Sequence, residues 1–158
     1  MKKTEIQNLI KEIIEKTNAV VKEINIEEKN PKSVWFSVEV DNPYCFINHG
    51  GEALSALNHL VKRIIEAKLS PETENPDGFE ILIDINGFQK KRIEGIHAVA
   101  YMMAERARYF KSSIEVEPMS AFDRRIVHEF LSEATDLKTE STGEGHSRRV
   151  VIKYTGNI

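Results

Sequence analysis

Cysteine is nearly absent from this sequence: Cys45 stands alone in 158 residues. A single thiol excludes an intrachain disulfide and any thiolate-rich zinc site. Long apolar runs are missing as well. No stretch reaches the roughly 18 apolar residues that a membrane-spanning helix needs. The opening Met1-Lys2-Lys3 leads into an amphipathic segment instead of the apolar centre of a signal peptide. The expected address is therefore the cytoplasm, without direct membrane insertion. His49, His59, His97, His128 and His146 are scattered without ligand spacing, so neither a metal nor a cofactor is expected. There is no compact carboxylate set, no phosphate-binding lysine loop and no nucleophile with an evident base, and the chain reads as a non-enzyme. Cys45, in a short apolar run beside His49, reads as a buried, inert thiol.

An excess of positive charge is lacking too. The formal net charge of -3 is not that of a dedicated duplex-DNA binder. The distribution is uneven, however. Residues 1–88 carry 10 Lys/Arg against 15 Asp/Glu, whereas residues 89–158 carry 12 against 10. Any footprint for phosphates is expected in the C-terminal half.

What is present is enough apolar material, 41% of the residues, for one medium core or two small ones. Ile6, Leu9, Ile10, Ile13 and Ile14 recur at helical spacing over 5–17. Extended stretches over 20–26 and 34–40 follow, the second alternating Val34, Phe36, Val38 and Val40 with Trp35, Ser37 and Glu39. Residues 27–32, with Asn30-Pro31, read as their hairpin loop. Trp35, alone on the polar side, is open to packing or to base stacking. After a short apolar piece, 44–47, the turn Asn48-His49-Gly50-Gly51 opens a helix whose stripe is Leu54, Leu57, Leu60, Val61, Ile64 and Ile65. A polar loop over 71–78 leads to a strand over 79–85, and Asn86-Gly87 turns into a long helix, about 90–109, with Ile93, Ile96, Val99, Ala100, Met103 and Ala107 inward. A short strand at 113–116 precedes a helix capped by the Ser120 to Asp123 box, and two strands, 137–141 and 149–154, close the chain. This order is α+β, with a domain boundary near 110–113.

Two constellations carry chemistry. The first is the glycine turn. A helix N-terminus offers unpartnered N–H groups to an anion, and Gly50 and Gly51 let a backbone approach, although the spacing equally fits a plain turn. The second is Arg124 and His128, one helical turn apart on one face, with Phe122, Ile126, Val127, Phe130 and Leu131 on the core side. A guanidinium suits phosphate and an imidazole suits a base or sugar, but such a pair is also found on any solvated helix. Lys90-Lys91-Arg92 at the start of the long helix calls for a compensating carboxylate, from Asp84 or Glu94, or a phosphate. On the last strand Arg149, Val151 and Lys153 point one way, forming a basic sheet face beside Arg124.

Downstream residues bring these together. Glu117-Pro118-Met119-Ser120, Arg124, His128, Ser141-Thr142-Gly143-Glu144 and Arg148-Arg149-Val150-Val151-Ile152 resemble, in order and distance, the R-three-H domain. Ile47, Gly51-Glu52, Leu54, Leu57 and Leu60 resemble the KH half of the Jag (KhpB-like) bacterial family. The resemblance covers nearly the whole chain. It implies an α+β protein with a KH-like α/β sandwich at 1–110 and a small α+β R-three-H domain at 111–158 packed on it. It also implies binding of RNA or single-stranded DNA. Arg124 and His128 match the namesake pair and Arg148 the arginine before the last strand. The expected contact set adds Arg125, Arg149, Lys153, Lys90, Lys91, Arg92, His49, Gly50 and Gly51. The family loop is usually Gly-Lys-Arg-Gly; Asn48 replaces its first glycine and His49-Gly50 its basic pair. That departure shifts the expected contacts to the C-terminal third and leaves the KH-like half as scaffold or partner surface. Family members often carry a further domain ahead of the KH half, whereas this sequence opens at the KH-like helix. The competing reading is a protein–protein module facing a second KH protein or, as a homodimer, its own copy.

Overall fold

The computed structural model describes residues 3–30, 33–68 and 80–156. The chain divides into two compact units, Met1–Gln89 and Lys90–Ile158. Each has its own three-stranded sheet and its own core.

In the first unit the order is α1 (Lys3–Glu15), β1 (Val21–Asn30), β2 (Ser33–Val40), α2 (Tyr44–Ile47), α3 (Glu52–Lys68) and β3 (Glu80–Ile85). The sheet runs β1-β2-β3, with β1 antiparallel and β3 parallel to β2. Ile6, Ile10 and Ile14 of α1 and Leu54, Leu57, Val61 and Ile65 of α3 bury their stripes with Phe36, Val38, Ile83 and Ile85 of the sheet. Leu60, expected inward, is 47% exposed at the edge of that stripe. Residues 27–30, expected in a hairpin loop, are strand. Glu27 pairs with Trp35, Glu28 with Val34 and, after a register shift, Asn30 with Ser33, because charged side chains on an exposed face do not prevent backbone pairing. Pro31 and Lys32, and the loop expected at 71–78, lie outside the described residues. Trp35 is buried. Cys45 is exposed, contrary to expectation: residues 44–47 form a helical turn that turns only Phe46 inward.

Two asparagine amides finish this sheet. Asn58 of α3 accepts the Ile83 N–H at 2.7 Å and donates to the Ile83 carbonyl at 3.1 Å. Asn86, in a left-handed turn conformation, makes the same two-point pairing with the main chain of Val40, at 2.9 and 3.2 Å.

The second unit holds all but the first two residues of α4 (Phe88–Phe110), followed by β4 (Ile114–Glu115), α5 (Ala121–Leu131), β5 (Leu137–Thr142) and β6 (Arg149–Tyr154), in a sheet ordered β4-β6-β5 and wholly antiparallel. α4 therefore falls with the second unit, whereas the sequence expectation ended the first domain after it. Its buried seam is Ala100, Ala104 and Ala107, in one core with Val116, Val127, Leu131, Val150 and Ile152. Small residues let a helix approach its neighbours closely, which leaves Val99, expected inward, exposed at the margin. The α+β class expected from the sequence is the class observed. Among the described residues no helix is long and apolar enough to cross a membrane.

Candidate functional site

The backbone around Met119 gathers the residues of interest. Ser120 caps α5, its Oγ accepting the Asp123 N–H at 3.2 Å, and so fixes where the first helical turn begins. Just before it, the Met119 N–H donates to the Arg148 carbonyl at 3.2 Å. The Met119 carbonyl in turn accepts from Arg124 Nη1 at 2.8 Å. One residue thus ties the Arg124 guanidinium to the backbone of Arg148. Gly143, at φ 89°, packs so closely that an added Cβ would lie 3.0 Å from the Ser147 carbonyl and 3.2 Å from Arg148 Cα. The loop from β5 to β6 closes here because glycine allows both the conformation and the contact.

His128 lies one turn beyond Arg124 and is half-buried. Its Nδ1 is 2.7 Å from Thr139 Oγ1 and its Nε2 is 2.9 Å from Ser141 Oγ. A hydroxyl can donate or accept, so the neutral ring satisfies both nitrogens in either tautomer. Burial first, and the nearby Arg124 charge second, hold the imidazole pKa below its ordinary value. His128 therefore latches α5 to β5 as a neutral ring. Sequence reasoning misses Thr139 and Ser141. A signal existed: with Leu137 they share one face of β5, and polar residues at inward positions of a strand require partners.

Charge pairing sorts the candidate cations. Arg92 is bidentate on Asp123, with Nε 3.1 Å from Oδ1 and Nη2 2.8 Å from Oδ2. This bridge joins α4 to the first turn of α5, so the carboxylate opposite Arg92 comes from a neighbouring helix. On the outer sheet face Arg149 pairs with Glu115 at 2.9 Å and Lys153 with Glu140 at 2.6 Å. On the expected basic face Arg149 and Lys153 are thus both paired, because cross-strand neighbours supply carboxylates, while Lys138 lies opposite Lys153. Arg125 lies 3.7 Å from Glu129 and 5.8 Å above the centre of the Phe122 ring. Lys90 and Lys91 are exposed in the first turns of α4. Among the described residues, Arg124 and Arg148 pair with no carboxylate.

The glycine turn sits apart from these residues in sequence, in the first unit. His49, Gly50 and Gly51 have φ of 50°, 71° and 81°. An added Cβ at Gly51 would fall 2.5 Å from the Phe88 ring, which itself packs on the first core, so glycine is required there for packing. Gly50 faces open space and His49 is exposed. No Lys or Arg occurs between Lys32 and Lys62, and Glu52 occupies the first turn of α3. A carboxylate there competes with any bound anion for the helix N-terminus.

Residues 94–154 match the model of the R-three-H domain. The matched segment runs through most of α4 to the end of β6 and contains Arg124, His128 and Arg148, while the glycine turn lies outside it. Nearly the whole chain is also similar to curated proteins named RNA-binding protein KhpB. With that of Bacillus subtilis (strain 168) it is 27% identical over 151 residues, 94% of this chain and 67% of the relative. With that of Clostridium symbiosum it is 26% identical over 145 residues, 92% of this chain and 58% of the relative. The protein of Streptococcus pneumoniae serotype 2 is 22% identical over 153 residues, 94% of this chain and 45% of the relative. The chain thus spans between about half and two thirds of the length of these relatives.

Proposed function

We propose that this protein binds single-stranded nucleic acid, chiefly RNA, without catalysing a reaction on it, and that the R-three-H segment carries the binding. The observation that carries the reading is the pairing of charge: Arg124 and Arg148 are tied together through Met119 and meet no carboxylate among the described residues, while Arg92, Arg149 and Lys153 are neutralised. The Arg124 guanidinium, held by the Met119 carbonyl, and the exposed Arg148 side chain, whose backbone is anchored to the same residue, make a phosphate clamp of two uncompensated guanidiniums. His128 has the role of holding α5 on β5, so that Arg124 keeps its place. The names of the relatives support RNA as the ligand.

In this reading the first unit is a KH-like domain, as in Jag-type proteins. Its order of helix, two strands, two helices and strand, with a glycine turn opening α3, supports the assignment. Its turn contributes little to phosphate binding, because Gly51 is committed to packing and Glu52 puts a negative charge in the first turn of α3. The unit serves as scaffold or as a surface for a second KH protein, and the protein works in the cytoplasm.

Fluorescence anisotropy with a short labelled oligoribonucleotide tests the proposal. Arg124→Ala combined with Arg148→Ala is expected to lower affinity by tenfold or more, in line with about 1.5–3 kcal/mol for charge-assisted hydrogen bonds. Wild-type affinity in a variant that melts normally removes the assignment of these residues.

A further inference from the structure

Aromatic rings gather on the flank of α5 away from His128. Phe130 of α5 and His97 of α4 stack with ring centroids 4.4 Å apart and planes inclined by 16°. Phe130, expected in the core, keeps 40% of its surface exposed, and Tyr101, one helical turn after His97, keeps 59%. Ile126, Val127 and Leu131 fill the core without Phe130. A phenyl ring held parallel to an imidazole at the surface has already lost its rotamer freedom and still presents a π-face.

We propose that the stacked His97 and Phe130 rings, with Tyr101 beside them, form a base-stacking platform for the single strand whose phosphates Arg124 and Arg148 hold. The proposal rests on the function assigned above. Position along α5 relative to Arg124 favours a nucleic acid as the occupant. Phe130 follows His128 by two residues, so it lies only about 3 Å further along the helix axis and within a helix diameter of about 10 Å across it. The outer face between them carries Arg125, seated over the Phe122 ring. A strand crossing α5 from the Arg124 side thus passes the Arg125–Glu129 pair and arrives at exposed rings. Such stacking tolerates any base, because every base has a π-face, so the platform adds affinity without sequence selectivity.

Two labelled oligomers of equal length and charge test this with the intact chain: an oligouridylate and an abasic ribose-phosphate strand. Phe130→Ala is expected to weaken the base-bearing oligomer about tenfold, within the range for loss of one aromatic stacking partner, and to leave the abasic strand unaffected. His97→Ala is expected to lose less, and Phe130→Tyr to bind as wild type. Should Phe130→Ala fail to fold, Phe130→Leu retains apolar bulk without a ring and is expected to show the same selective loss. Unchanged oligouridylate affinity in the folded variant overturns the platform, and so does an equal loss on both oligomers. Wild-type protein that binds neither oligomer overturns the proposed function instead. Arg124→Ala, by contrast, is expected to weaken both.

Discussion

His128 shows how a single side chain can belong to a site without being its charge. Its ring nitrogens are occupied by Thr139 and Ser141, and Arg124 stands near enough to disfavour protonation. Because its folded-state pKa is depressed, the unfolded chain binds the proton more readily, and stability falls with falling pH. The loss begins as pH drops through the ordinary imidazole value of about 6.5 and continues down to the folded-state value. Thermal melts at pH 7.5 and 5.5 are expected to show a lower Tm at the acid value in wild type and a smaller decrease in His128→Gln. Equal decreases would show that the latch is not the titrating group. The carboxyls of Asp136, held down by hydrogen bonds from Arg108, and of Glu140, held down by Lys153, also titrate below their ordinary values, so their stabilisation is present at both pH values and is lost only under more acid conditions. Arg92 and Arg124 make the complementary point. Both are arginines that the sequence marks for phosphate, yet one is spent on Asp123 and the other is not.

At the scale of elements, periodicity predicts nearly every helix and strand, since amphipathic spacing is local information. α1, α3, α4 and α5 all lie where their stripes place them. The misses fall at margins. Leu60, Val99 and Phe130 sit at the edges of stripes, where sequence spacing cannot tell whether a neighbour arrives to cover them. The charged end of β1 reads as loop on polarity alone, while the ladder needs only backbone groups. Asn58 is an element-scale device of the same kind, a side-chain amide standing in for a strand at the Ile83 edge. Asn58→Ala leaves a donor and an acceptor without that partner and is expected to cost about 1–3 kcal/mol. For a domain of this size that lowers Tm by roughly 4–8 °C per kcal/mol, measurable by circular dichroism. An unchanged Tm would mean that water replaces the amide at no cost.

For the molecule as a whole, charge is divided between the units: 10 Lys/Arg against 15 Asp/Glu before residue 89, and 12 against 10 after it. Binding through Arg124 and Arg148 then has a characteristic salt response. Each phosphate contact on a single strand contributes about 0.7 to the slope of log affinity against log salt. The double variant Arg124→Ala with Arg148→Ala is expected to reduce the wild-type slope by about 1.4, read from anisotropy titrations across a salt series. An unaltered slope would place the phosphate contacts elsewhere. The α+β class, the order of elements and the segment that bears Arg124, His128 and Arg148 were all readable from residue order, because they follow from local spacing and motif. Which of those cations stays uncompensated was not. Arg92 finds Asp123 31 positions away and Arg149 finds Glu115 34 positions away, so their pairing depended on which helices and strands became neighbours. Local periodicity specifies the elements but not that adjacency, and the packing of the second core settles which guanidiniums are neutralised.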